Sequence, residues 1–214
     1  MNLVFLGPPG SGKGTQAVRV AKALKVSHIS TGDLLREAVR DKTELGKKVE
    51  DTMKQGQLVP DEVVISLIGQ KIMALEENQG FILDGFPRNV PQAESLKFMF
   101  DNQHKKLDKA ILLRVSDDEV VKRLSGRWNC PKCNTGYNHP SNVPKHEGIC
   151  DRDGEKLLRR PDDEEAVVRK RLEVYKAETI PIEDFYRKES ILTEIEGEQQ
   201  PDKVFQDILT AVKD

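Results

Sequence analysis

Aromatic residues are scarce in this chain: 1 Trp, 3 Tyr and 7 Phe among 214 residues. Surfaces that hold single-stranded nucleic acid interleave aromatics with cations, so such a role is disfavoured. Positive charge is not in surplus either, since 34 Lys+Arg stand against 36 Asp+Glu for a net charge of -2. Without a broad basic field, an anionic ligand has to be met by local arginines. No stretch approaches the roughly 20 apolar residues of a membrane helix. The chain also lacks a charged segment ahead of a long apolar core, the mark of a secretory signal. The expectation is a cytoplasmic protein with neither membrane nor nucleic acid as partner. Cysteines number 3, confined to one short region. An odd, clustered count argues against a disulfide framework and for a metal site.

What is present is a soluble globular composition, 37% hydrophobic and 33% charged. Its length suits one large α/β domain, or a core with small insertions. The organising stretch is Gly7-Pro8-Pro9-Gly10-Ser11-Gly12-Lys13-Gly14-Thr15, which follows the apolar run Leu3-Val4-Phe5-Leu6 and opens onto a helical pattern. Strand, glycine-rich loop and helix start form the setting of a phosphate-binding loop. Backbone N–H groups of Gly10, Ser11, Gly12, Gly14 and Thr15 can turn toward one anion, and Lys13 adds a full charge. The usual pattern places Ser or Thr directly after the lysine as a magnesium ligand, whereas here Gly14 intervenes before Thr15.

Five candidate strands, at 2–6, 26–30, 80–84, 110–115 and 190–195, alternate with helical patterns. The expected fold is α/β: a phosphate-loop core with a five-stranded parallel sheet covered by helices on both faces. Thr43 and Gly46 are expected to interrupt the helical stretch after Gly32. A long helix is expected from Arg160 to Ile180, bent at Pro181. Phe81-Ile82-Leu83-Asp84 is an apolar strand ending in an aspartate, which puts a carboxylate at the sheet edge where a nucleotide would sit. Asp84 can hold magnesium or its waters, or merely cap the next turn.

Composition changes near Gly126. Segment 127–158 is rich in Cys, Pro, Asn, Gly and Lys and has few aliphatics, so it reads as a small inserted unit. Cys130 and Cys133 are separated by two residues, as are Cys150 and Asp153. That is zinc-knuckle spacing on two turns, with a carboxylate as the last ligand and Asp151 as the alternative. Four protein ligands make the zinc structural, a staple for a segment with almost no core. His139 and His146 lie nearby but off the pattern, and both read as surface residues.

Taken together, the loop, Ser30-Thr31-Gly32-Asp33-Leu34-Leu35-Arg36, Gly80-Phe81-Ile82-Leu83-Asp84-Gly85-Phe86-Pro87-Arg88 and Arg169-Lys170-Arg171-Leu172 resemble the adenylate kinases, in particular the long bacterial form with an inserted lid. The resemblance covers essentially the whole chain. It implies reversible phosphoryl transfer from MgATP to AMP giving two ADP. It also implies a monomer and magnesium held largely through waters, which suits Gly14. The implied division is a core (1–30, 60–126 and 159–214), an AMP-binding region (31–59) and a lid (127–158).

By position, the resemblance makes Arg36 and Arg88 the grip on the AMP phosphate, and Arg123, Arg127, Arg160 and Arg171 the groups that close over the transferring phosphoryl. Arg160 and Arg171 also face the AMP. Lys13, Asp84, Arg88, Arg123, Arg160 and Arg171 form the catalytic set. Thr31, the Gln57-Leu58-Val59 backbone, Gly85 and Gln92 line the AMP pocket, with Gln92 reading the adenine edge. Gln199 marks a loop beside the ATP adenine. Two other readings compete: a kinase for UMP or CMP, and a zinc-ribbon nucleic-acid-binding ATPase. Gln92 and Thr31 weigh against the first, and neutral charge and scarce aromatics against the second.

Overall fold

The computed structural model describes residues 1–139 and 142–213. Among them, β1 (Asn2–Leu6), β2 (Ser27–Ser30), β3 (Phe81–Asp84), β4 (Lys109–Arg114) and β7 (Leu192–Glu196) form one parallel sheet in the order β2-β3-β1-β4-β7. The short β5 (Arg127–Asn129) and β6 (Gly136–Asn138) pair antiparallel, apart from that sheet.

Alternate residues of each strand serve opposite faces. Leu3, Phe5, Ile82, Ile111 and Leu113 pack with Ala17 and Val20 of α1 (Lys13–Leu24) and with Val204 and Ile208 of α9 (Pro201–Ala211). Val4, Leu6, Leu83, Ala110 and Leu112 face the other way. They meet Ile68 and Ile72 of α4 (Asp61–Met73), Leu96 and Phe100 of α5 (Val90–Asn102), and Ile182 of α8 (Pro181–Lys188). With both faces covered, these strands are apolar throughout rather than alternating.

The central strand β1 is flanked by β3 and β4. Connections therefore leave it toward both sides, and the crevice at the carboxyl ends is where ligands bind in such sheets. Register places Asp84 opposite Phe5 on one side and Ser30 on the other. One row thus lines up the start of the glycine-rich loop, the carboxylate and the start of α2 (Thr31–Arg40). Ser30 caps α2 by accepting from the Asp33 N–H at 3.3 Å.

The chain differs locally from the sequence expectations. Thr43 is the cap of α3 (Glu44–Lys54), accepting from Gly46 N–H at 3.0 Å. Gly46 interrupts nothing; it lies inside α3 where the Ala38 carbonyl of α2 comes too close to admit a Cβ. The helix expected from Arg160 is divided. Pro161–Asp163 is a 3-10 turn, Glu164 is extended, and α7 runs Glu165–Val174. A π-helical turn, Tyr175–Thr179, follows and leads into α8. Pro181 has no N–H to donate, and Ile180 N–H reaches back five residues to Tyr175 O at 3.0 Å. The last strand begins at Leu192 because Ser190 takes a left-handed conformation, φ 59. No helix among the described residues is long and apolar enough to cross a membrane.

Candidate active site

The loop between β1 and α1 turns through Gly12 at φ 95, and α1 starts at Lys13. The first-turn N–H groups of α1 have no partner within the helix, the arrangement that receives an anion. Lys13 Nζ folds back over the loop and donates to Gly7 O (2.6 Å), Pro8 O (2.7 Å) and Ser11 Oγ (3.3 Å). Removal from water pushes the Lys13 ammonium down to about 7; Asp84 pulls it up, while Arg88, Arg171 and Arg127 push it further down.

Gly14 has a steric reason. A Cβ built there would lie 3.2 Å from Asp84 Oδ2. The missing side chain therefore lets the carboxylate stand against the first turn of α1. On the other side of that carboxylate, His28 Nε2 from β2 lies 3.5 Å from Asp84 Oδ2. Thr15 is exposed. Asp84, whose charge acts on Lys13, is an appropriate donor for a hard cation with retained waters.

Separated arginines converge on this point. Arg36 of α2 is held by Asp33 (2.6 Å), and Arg88 Nε donates to Gly85 O (2.9 Å). Arg127 forms a two-pronged pair with Asp163, its Nε donating to Oδ2 at 2.7 Å. Arg160 Nε donates to Asn129 Oδ1 (3.3 Å). Arg171 Nη1 meets Asp162 Oδ2 (2.8 Å) and Asp163 Oδ1 (3.3 Å). Arg123 stands at the other flank of the loop. Glu119 holds its Nε at 2.8 Å, and its two terminal nitrogens donate to Ser11 O (3.4 Å) and Gly197 O (3.0 Å).

The electrostatics confirm the crowding. Burial, then Arg171 and Arg36, lower Arg88 to about 10; burial, then Arg36 and Arg127, lower Arg160 to about 9. Arg171 is lowered as well, chiefly by burial. Burial works against ionisation of Asp162, yet the guanidinium groups of Arg171, Arg36, Arg127 and Arg160 hold its carboxyl below the usual range. Cations packed this closely out of water are stabilised by any polyanion that enters.

Lys13, Asp84, Arg36, Arg88, Arg127, Arg160 and Arg171 are thus brought together, with Arg123 at the edge. Thr31 is buried with its hydroxyl unpartnered, and Val59 is buried beside the exposed Gln57 and half-buried Leu58. Gln92 is 1% exposed, with one hydrogen bond at each end of its amide, to Asp61 and from Arg88 N–H. Gln199 donates to Glu196 O and Asp207 Oδ2, both 3.3 Å, and Gly197, two residues earlier, accepts from Arg123 at 3.0 Å. Sequence reasoning missed the residues that hold the arginines: Asp33, Glu119, Asn129, Asp162 and Asp163. The adjacent acids after Arg160-Pro161 were a visible signal, read only as a helix start.

In segment 127–158, one ligand atom each from Cys130, Cys133, Cys150 and Asp153 lies within 4.8 Å of the others. Cys133 and Cys150 sulfurs are 3.6 Å apart, and Cys130 Sγ is 3.3 Å from both Asp153 oxygens. Tetrahedral zinc with bonds of about 2.0–2.3 Å requires edges of about 3.3–3.8 Å, so the residues fit. The two turns share one pattern. Cys130 N–H bonds Thr135 O and Asn134 N–H bonds Cys130 O; Cys150 N–H bonds Glu155 O and Gly154 N–H bonds Cys150 O. Asp153 therefore occupies the place of Cys133, while Asp151 is used elsewhere, accepting from Lys145 N–H at 2.9 Å. His139 and His146 are exposed and outside the cluster.

Comparison with known proteins agrees with this geometry. The family model described as adenylate kinase matches residues 5–191. The adenylate kinase of Archaeoglobus fulgidus is 47% identical over 208 residues, covering 97% of this chain and 96% of that protein. That of Thermosipho africanus is 46% identical over the full length of both chains, and that of Clostridioides difficile is 45% identical over 99% of this chain and 98% of its own. With a phosphate loop, a carboxylate beside it, converging arginines and relatives matched end to end, the chain belongs to the adenylate kinase family.

Proposed function

We propose that the residues gathered around Lys13 carry reversible phosphoryl transfer from MgATP to AMP, giving two ADP. The observation that supports this reading is the convergence of Arg36, Arg88, Arg127, Arg160 and Arg171, from distant parts of the chain, on the Lys13–Asp84 pair. One nucleotide needs the loop; a second phosphate-bearing substrate needs the arginines. The attacking AMP phosphate oxygen is already ionised near neutral pH, its second pKa being about 6. No general base is called for, and positioning with charge stabilisation carries the rate.

In this reading the loop N–H groups from Gly10 to Thr15 and Lys13 cradle the ATP phosphates, and Arg123 and Arg127 cover them. Arg36 and Arg88 hold the AMP phosphate, while Arg160 and Arg171 stand between the two. Planar guanidinium forks suit this because they pair two-pronged with phosphate oxygens. The acids now on Arg127 and Arg171 keep those forks in place until phosphate replaces them. Thr31, Gly85, Gln92 and the 57–59 backbone receive the AMP nucleoside, and the loop around Gln199 the ATP adenine. Asp84 would hold magnesium through its waters; magnesium neutralises charge on the phosphates being drawn together.

Segments 1–30, 60–126 and 159–214 act as the core, 31–59 closes over AMP and 127–158 over ATP, excluding water that would hydrolyse the nucleotide. Cys130, Cys133, Cys150 and Asp153 hold structural zinc, with no position left open for catalysis. The protein works as a cytoplasmic monomer. A coupled assay for ADP with MgATP, run with and without AMP, tests the activity. ADP should form rapidly only when AMP is present. Equal rates without AMP, or faster turnover with UMP, would refute the reading.

A further inference from the structure

We propose that Asp61 is a positioning residue that decides which purine edge Gln92 can read. The proposal rests on the placement of Gln92 in the acceptor-base pocket. Asp61 is the first residue of α4 and faces the start of α5. Gln92 Nε2 donates to Asp61 Oδ1 at 2.7 Å, and Gln92 Oε1 accepts the backbone N–H of Arg88 at 2.7 Å. Asn89 Nδ2 donates to both Asp61 oxygens, at 3.0 and 3.1 Å, while its Oδ1 accepts the N–H of Gln92 at 2.9 Å. Gln92 and Asn89 are both buried, so water does not substitute for these partners.

These partners remove the usual freedom of an amide to turn over. A backbone N–H only donates, and a carboxylate only accepts. Rotating the Gln92 amide by half a turn would set N–H against N–H and oxygen against carboxylate, two mismatches away from water. The orientation is therefore set by chemistry. It leaves one Nε2 hydrogen and one Oε1 lone pair for a ligand, in a defined order.

Adenine offers an amino donor at C6 beside a ring acceptor at N1. A 6-oxopurine offers the reverse, a carbonyl acceptor beside an N1–H donor. A fixed amide discriminates between these edges, whereas a freely turning amide fits both. Selection of adenine over hypoxanthine and guanine thus depends on Asp61, which touches no base.

The test compares kcat/KM for AMP and for inosine monophosphate in wild type, Asp61→Asn, Asp61→Ser and Gln92→Leu, with melting temperatures recorded for each. Asn and Ser both accept and donate, so either removes one of the two mismatches that hold the amide, leaving only the Arg88 N–H against a turned amide; the Ser variant serves if Asn prevents folding. The AMP preference should narrow by about tenfold or more, the scale at which a site's polar groups discriminate between substrates. The change should fall on the acceptor nucleotide, with KM for MgATP unmoved. A lower melting temperature with an unchanged AMP preference would make Asp61 a structural tie and overturn the proposal, while a narrowed preference in Gln92→Leu would leave the base-pocket reading standing. An unchanged preference in Gln92→Leu would instead overturn the base-pocket reading, and this proposal with it.

Discussion

The sheet core and the inserted segment 127–158 reach order by opposite means. The core packs Leu3, Phe5, Ile82, Ile111 and their neighbours on one face of the sheet and Val4, Leu83 and Leu112 on the other, all fully or almost fully buried. The insert has Cys130, Tyr137, Cys150 and Leu157 as its buried cluster, and two three-residue strands. Two of those four buried side chains are metal-ligand candidates. A unit of this size without aliphatic layers cannot offset its chain entropy by burial alone. The difference teaches where each part is vulnerable: the core to lost methylenes, the insert to changes at its four candidate ligands.

Metal removal should show the largest contrast. Structural zinc contributes about 10–16 kcal/mol of apparent binding energy in small domains at pH 7. Chelation, or Cys130→Ser, should therefore disorder 127–158 while the core strands keep their amide protection. Hydrogen exchange read segment by segment checks this, alongside metal analysis of the purified protein. Absence of zinc, or uniform loss of protection, would break the comparison.

Lys13→Met should lower turnover by about a hundredfold to a thousandfold, the scale of removing a key charge-stabilising group. The melting temperature should move little, because burial disfavours the Lys13 charge in the free protein. Near-normal turnover would remove Lys13 from the mechanism.

Leu112→Ala should cost about 2–5 kcal/mol in global stability, read by denaturant unfolding. Protection in the core should fall and the metal site should stay filled.

The smallest effect concerns pH. Lys13 is lowered to about 7 in the free protein. A bound triphosphate restores its proton, so the bound-state value lies above the free-state one. ATP affinity should accordingly fall as pH rises above about 7, by at most about tenfold per pH unit. Calorimetry in buffers of different ionisation heat should show proton uptake on binding. Between the lowered value and the unfolded one, the unfolded chain holds the extra proton, so the free protein gains stability as pH rises through that window. Binding without proton uptake would contradict this assignment.

Much of the architecture was legible in the chain. Continuous apolar runs ending in Gly7 and Asp84 identified buried parallel strands and the edge that carries function. The Cys130–Asp153 spacing was readable because two short turns bring their own ligands together. The division of the 160–188 stretch was not. Periodicity continues across Glu164 and Pro181, and what interrupts it there is Asp163 turning to Arg127 and a missing N–H shifting one bond to π geometry.

Local order and chemistry therefore belonged to the sequence: the phosphate loop, the strand-terminal carboxylate, the two knuckles and the inventory of arginines. Their partners did not. Asp163 on Arg127, Asp61 on Gln92 and Asp84 against Gly14 join residues far apart in the chain. Sheet register and helix packing decided those pairs. A side chain's reach is a few ångströms, and only the folded backbone determines which distant group falls within it.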